Sequence, residues 1–104
     1  MADNFERGET VTCWRYVKDE DGKYHDPGTS YTITITDIIG TVAVDSEDTS
    51  IEEKDMVQEN SDAGKYYYDF TSADDATLGR YDVLFVAVDN GRTIKQRANF
   101  DIVL

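Results

Sequence analysis

Residues 30–38, SYTITITDI, alternate without a break, with Tyr31, Ile33 and Ile35 on one side and Thr32, Thr34 and Thr36 on the other. Period-two alternation over this length is the signature of a strand with one buried face, because successive side chains point to opposite sides of a sheet. The same grammar recurs along the chain. It is seen in ETVTCWRYVK at 9–18, TVAVD at 41–45, a segment near 55–59, GKYYYDFT at 64–71, RYDVLFVAVD at 80–89 and RTIKQRANFDIV at 92–103. Turn signals separate these runs: Asp19-Glu20-Asp21-Gly22, Asp26-Pro27-Gly28, Gly40, Ser61-Asp62-Ala63-Gly64, the polar corner 72–79 and Asn90-Gly91. The last is the strongest short-range hairpin signal in the chain. Residues 45–55, DSEDTSIEEKD, read as a loop entering a strand, although Ser50 with Glu53 could cap one helical turn. Seven short strands at regular spacing predict an all-β sandwich of about seven antiparallel strands, with an up-and-down barrel as the alternative. At 104 residues the chain is expected to be a single domain, 1–104, with residues 1–8 as an N-terminal arm.

The run 80–89 has one apolar row too many. Tyr81, Val83, Phe85 and Ala87 form one row, and Leu84, Val86 and Val88 form a second on the opposite face. A strand in a two-sheet sandwich has one face toward the core and one outward. The Tyr81 row is expected inside, beside Ile94, Phe100 and Ile102 of the following strand. Leu84, Val86 and Val88 then face outward, and three covers are open to them. They could stand as ordinary β-branched surface residues, lie under an N-terminal arm carrying Phe5, or be covered by another subunit, since contiguous exposed apolar surface marks contacts.

Composition restricts what such a surface can bind. Asp and Glu total 22 against 10 Lys and Arg, a formal net charge of −12. That argues against nucleic acid, which needs clustered cations for phosphate contact. Only Arg92-Lys95-Arg97 is locally basic. The one cysteine, Cys13, leaves no intramolecular disulfide framework. The start, MADNFERGET, has no apolar core of a signal peptide, and no run approaches a membrane span. Synthesis in a cytoplasm is therefore expected, with retention there or exit by a route needing no signal, and with no membrane partner. A piece of a larger protein is the alternative.

Catalytic chemistry is hard to find. His25 is the only histidine and sits beside Asp26 in a loop, where a surface role is expected. Cys13, next to Trp14 in a strand, reads as a buried structural thiol. An EF-hand starting at Asp19 fails, because its sixth position is Tyr24 and its twelfth is Ser30. An irregular calcium site between loops would draw on Asp19, Asp21, Asp26, Asp45, Glu47 and Asp48. Asp74-Asp75 are adjacent in one corner, whereas glycosidase carboxylates face each other from separate elements. Phosphate-loop, dinucleotide and zinc spacings are absent. No enzyme and no cofactor are expected.

The segment Ala76-Thr77-Leu78-Gly79-Arg80-Tyr81-Asp82-Val83 resembles the corner before strand F of immunoglobulin-like domains. The resemblance implies that Tyr81 is a tyrosine-corner residue, its ring in the core and its hydroxyl bonded to nearby backbone. Val83 stands where antibody domains place their second cysteine, and Trp14 abuts Cys13, so a cysteine-free immunoglobulin-like sandwich is implied. A wider pattern joins ERGETVTCWRYV, Asp19-Glu20-Asp21-Gly22, Asp26-Pro27-Gly28, Ile33-Thr34-Ile35-Thr36-Asp37, Gly64-Lys65-Tyr66 and Gly79-Arg80-Tyr81. This layout looks like the small immunoglobulin-like proteins among tailed-virus structural genes, and is similar to bacterial and archaeal surface modules. The resemblance implies a non-catalytic virion component, at the capsid surface, head–tail junction or tail, contacting other virion proteins or its own copies. Its contact surface would be Leu84, Val86 and Val88. The alternative is an adhesion or carbohydrate-binding module using Tyr16, Tyr24, Tyr31 and Tyr67.

Overall fold

A computed structural model of the chain describes residues 3–18, 21–59, 63–89 and 91–104. The expected turn residues Asp19, Glu20, Ser61, Asp62 and Asn90 lie outside the described residues. Among the described residues there are eight strands, β1 (Asp3–Glu6), β2 (Thr10–Tyr16), β3 (Ser30–Thr36), β4 (Lys54–Asp55), β5 (Val57–Gln58), β6 (Lys65–Thr71), β7 (Gly79–Asp89) and β8 (Arg92–Val103). They form two sheets, one of five strands in the order β1-β8-β7-β3-β4 and one of three in the order β2-β6-β5. This is a β-sandwich, and no helix occurs among the described residues.

Alternation places the core between the sheets. Ile33, Ile35, Phe85, Val83 and Ile102 come from the five-stranded sheet and Val11, Cys13 and Phe70 from the three-stranded one, all buried. Register explains why. Tyr81 pairs with Phe100 and Ile33 with Phe85, so the inward rows of β3, β7 and β8 lie side by side on one face. Aromatic rings fill the middle: Tyr81 stacks on Phe100 at 5.5 Å, and Phe70 meets both, at 6.2 and 6.1 Å. Fifteen buried residues form this one cluster, the apolar burial that stabilises a chain of this size.

The described architecture corrects the sequence reading in three places. The expectation was about seven antiparallel strands, but the N-terminal segment adds a strand and pairs in parallel with β8, Phe5 opposite Ile102. Residues 3–6 are therefore sheet rather than free arm, and the Phe5 ring meets Phe100 edge-on at 6.0 Å. The strand expected near 55–59 is split. Lys54–Asp55 joins β3, Val57–Gln58 joins β6, and buried Met56 crosses between the sheets with its amide on the Tyr31 carbonyl at 2.9 Å. Residues 41–45 form only isolated bridges, Val42 to Thr36, Val44 to Ser50 and Asp45 to Ser72.

Gly64 locks one end of the sandwich. Its φ is +70°, and a Cβ there would collide with the Val17 carbonyl oxygen and lie 2.7 Å from the His25 amide. Its own amide donates to Asp26 Oδ1 at 2.6 Å, and its carbonyl accepts from Val17 at 2.7 Å. Only glycine fits this left-handed, crowded position.

Candidate functional site

The outer face of the five-stranded sheet carries the row read from sequence. Leu84, Val86 and Val88 are half-buried, alternating with the buried inner row. On one side they pair with Thr34, Thr32 and Ser30 of β3, and on the other with Arg97, Lys95 and Thr93 of β8. Directly opposed residues share a face, so the result is an aliphatic stripe between a hydroxyl column and a column with two exposed cations. Phe5 is committed to Phe100 on the core side, so Phe5 does not supply the cover considered above. Lys95 and Arg97 of the basic run thus lie on one surface with the aliphatic row, whereas Arg92 pairs with Asp89 on the opposite face. Tyr81, on the inner row, donates its hydroxyl to the Thr77 carbonyl at 2.7 Å. Burial pushes its phenol above the ordinary range, with Asp37 adding to the shift and Arg7 opposing it.

The outer face of the three-stranded sheet differs in kind. Trp14 of β2 and Tyr67 of β6 are cross-strand partners with ring centroids 5.2 Å apart, and Trp14 is 41% exposed. Tyr67 also pairs with exposed Val57 of β5. Thr12, Trp14, Glu59, Tyr67 and Asp69 line an open groove of about 370 Å³. Thr12 donates to Asp69 Oδ1 at 2.7 Å. Farther along, Tyr16 meets Tyr24 edge-on at 5.7 Å, and the Lys18 and Lys65 ammonium groups sit over the Tyr24 ring at 5.2 and 5.0 Å. Of the four tyrosines read as a sugar-stacking surface, three lie on or beside this face. Tyr31 does not. It is 6% exposed and packs edge-on against Tyr66 at 5.2 Å. Its place in the Tyr31-Ile33-Ile35 row puts it inside, and burial pushes its phenol up to about 12.

An open cleft of about 460 Å³ lies at the turn end of the β7–β8 hairpin and includes Val17, Lys18, Asp21, His25, Asp89 and Arg92 in its lining. His25 Nε2 meets Asp89 Oδ2 at 3.0 Å, so its acidic neighbour in space is Asp89 rather than Asp26. Asp89 also accepts from the Gly28 amide at 3.0 Å, and that bond, with His25, holds its carboxyl below the usual range. Asp26 is likewise held low, chiefly by the Gly64 amide and then by Gln58, whose Nε2 lies 3.0 and 3.1 Å from its two oxygens. The two carboxylates therefore pin loop 21–29 to opposite sheets.

A histidine–carboxylate pair can orient and polarise a nucleophile, but among the described residues no Ser, Thr or Cys lines this cleft. Cys13 lines a separate cavity, and burial pushes its thiol up to about 11, the unreactive protonated form at neutral pH. Of the calcium candidates, Asp19 lies outside the described residues. Asp45 Oδ1 is engaged by the Glu47 and Thr49 amides, each at 2.9 Å. Among the described residues no three His, Cys, Asp or Glu side chains converge on one point. Asp74 and Asp75 are exposed in the corner before β7.

Two features escaped the sequence reading. Trp14 was read only as the neighbour of Cys13, yet alternation with buried Cys13 already implied that it faces outward. Ile38 and Ile39 are 54% and 76% exposed on a turn in which Asp37 Oδ1 accepts from the Ile39 and Thr41 amides at 3.1 and 2.9 Å. Two isoleucines between Asp37 and Gly40 were a legible sign of an apolar turn. Comparison of the chain with protein-family models, with curated proteins and with solved structures gives no match.

Proposed function

We propose that this chain is a non-catalytic binding protein with an immunoglobulin-like sandwich, serving as a structural component of a tailed-virus particle. In this reading β1, β8, β7, β3 and β4 take the places of strands A′, G, F, C and C′, and β2, β6 and β5 those of B, E and D. The order of the strands supports it, as does the Tyr81 hydroxyl bond to the carbonyl four residues upstream. The virion setting and the proteinaceous partner come from the sequence resemblance.

The observation that carries the binding role is the outer face of the five-stranded sheet. Leu84, Val86 and Val88 form an unbroken aliphatic stripe beside Lys95 and Arg97, in a protein whose net charge is −12. Apolar contact with a cationic rim suits an acidic protein surface. The test is cosedimentation of the purified protein with empty capsids and with tails, alongside Val86→Glu. Binding by the native chain and its loss in a folded Val86→Glu variant are expected. No binding to any part of the particle removes the reading.

A second reading is favoured by the Trp14–Tyr67 groove. Flat aromatic rings beside Asp69 and Glu59 provide stacking surface and hydroxyl acceptors, the chemistry of a carbohydrate site. Saturable glycan binding that disappears in Trp14→Ala would move the assignment to this face.

A further inference from the structure

The four sheet edges are not equally finished. β1 has four residues, and β4 and β5 have two each, so three edges are too short to template another strand. The fourth, β2, has seven residues and pairs with β6 on one side only. Natural sheets blunt such edges with proline, bulges, lysine, inward-pointing charges or brevity, and of these β2 carries one, the inward Arg15. β2 reads TVTCWRY, with no proline, glycine or lysine, and its seven-residue register with β6 is unbroken.

The hydrogen-bond parity of this edge is fixed. Val17 donates to Gly64 in the same antiparallel register that joins β2 to β6. Odd-numbered residues of β2 therefore turn their amides and carbonyls to β6, and Thr10, Thr12, Trp14 and Tyr16 turn theirs to the open side. One side chain partly covers that side: Arg15 Nη1 donates to the Trp14 carbonyl at 3.2 Å, while its guanidinium lies 4.5 Å from the centre of the Phe85 ring. Behind the edge, a cavity of about 170 Å³ between the sheets is lined by Phe5, Cys13, Phe85, Ala98 and Phe100, among others.

We propose that β2 is a pairing edge for a second copy of this chain, joined antiparallel about a two-fold axis at Thr12 to make one continuous six-stranded sheet. Several observations select this occupant and register. Placing Thr12 opposite Thr12 sets Thr10 opposite the partner's Trp14, so residues with outward-facing backbone groups meet each other and exchange hydrogen bonds. The same register sets Glu9 opposite the partner's Arg15, twice by symmetry. Among the described residues neither Glu9 nor Arg15 makes an ion pair within its own chain. As the Trp14 carbonyl takes the partner's Thr10 amide, Arg15 Nη1 is released toward the partner's Glu9, while Nη2 keeps its 3.4 Å contact with the Arg97 carbonyl. Residues 9–18 hold Glu9 against Arg15 and Lys18, so this edge escapes the acidity that would otherwise drive two copies apart. A two-fold contact must be self-complementary, and an antiparallel strand with opposite charges at its two ends is.

The inference stands apart from the virion assignment, because it concerns an edge of the other sheet. Its test is sedimentation of the full chain over a wide concentration range, with backbone amide exchange on the same samples. The native chain should dimerise, and the amides of Thr10, Thr12, Trp14 and Tyr16 should gain protection as it does so. Thr12→Pro removes an amide that no strand within the chain uses, so it should melt as a folded protein yet remain monomeric. Glu9→Arg and Arg15→Glu should each weaken the dimer about two- to thirtyfold, the range of two exposed ion pairs, and the double exchange should restore it. A native chain that is monomeric throughout overturns the inference. So does a Thr12→Pro dimer, or a dimer dissociated by Val86→Glu instead, which would place the contact on the five-stranded sheet.

Discussion

The two outer faces of this sandwich are built from the same alternating pattern, yet they offer different surfaces. On the five-stranded sheet, β7 is flanked on both sides by long strands, and its outward residues Leu84, Val86 and Val88 are half-buried by their neighbours. On the three-stranded sheet, β6 has a seven-residue partner on one side and a two-residue partner on the other. Its outward aromatic residues therefore differ in cover: Trp14, on the open edge strand, is 41% exposed, while Tyr67, between Trp14 and Val57, is half-buried. The difference shows that exposure on a sheet follows from how many strands flank a residue as much as from its own polarity. It also separates two chemistries. Aliphatic side chains with cations beside them suit a protein surface, while flat rings beside carboxylates suit hydroxylated ligands.

The sharpest way to break the comparison is to cut β7 on each face in turn. Phe85→Ala removes a buried core ring and should cost about 3–5 kcal/mol in chemical denaturation. Val86→Ala, one residue along on the outer face, should cost less than about 1 kcal/mol. Equal losses would mean that the outer stripe is part of the internal packing and not a surface.

The two buried tyrosines of the five-stranded sheet should respond with opposite signs. Tyr81→Phe removes the bond to the Thr77 carbonyl and should cost about 0.5–1.5 kcal/mol. The Tyr31 hydroxyl is buried with no hydrogen-bond partner among the described residues. Tyr31→Phe should therefore leave stability unchanged or raise it, because the desolvated hydroxyl is lost with no bond broken. Thermal melts of the two variants side by side decide the point.

The smallest effect expected is on acid sensitivity, where loop 21–29 ties the sheets together. Asp26 and Asp89 both have depressed folded-state pKa values. Such groups add stability above the unfolded carboxylate range, about pH 4, and that stability is lost as pH falls through their lower folded values. Asp26→Asn should flatten the acid limb of a stability–pH profile by weakening the hold on Gly64 at the three-stranded sheet. Asp89→Asn should do the same through Gly28 at the five-stranded sheet. A variant whose acid limb matches that of the native protein would show that its carboxylate is not part of the clamp.

Much of this was legible before any coordinates. Alternation in 30–36 and 80–89 placed Ile33, Ile35, Val83 and Phe85 inside and Leu84, Val86 and Val88 outside, because period two is a local property of extended backbone. Other elements were not legible. Residues 3–6, DNFE, have one apolar side chain and no alternation to detect, and they become a strand because β8 offers an unpaired edge and Phe100 a surface for Phe5. The break at Met56 was hidden for a related reason: a two-residue strand has no period, and only the two waiting sheet edges define it.

The sequence by itself determined that this protein is all-β, which side of each long strand is apolar, and that Leu84, Val86 and Val88 form a second row. These are matters of neighbouring residues along one chain. Tertiary structure decided that Lys95 and Arg97 border that row, that Trp14 and Tyr67 share a groove with Asp69, and that His25 meets Asp89. It also decided that β2 is the long edge left open. Each of these depends on strand order and register, which are set by packing between segments far apart in sequence and not by the pattern within any one of them.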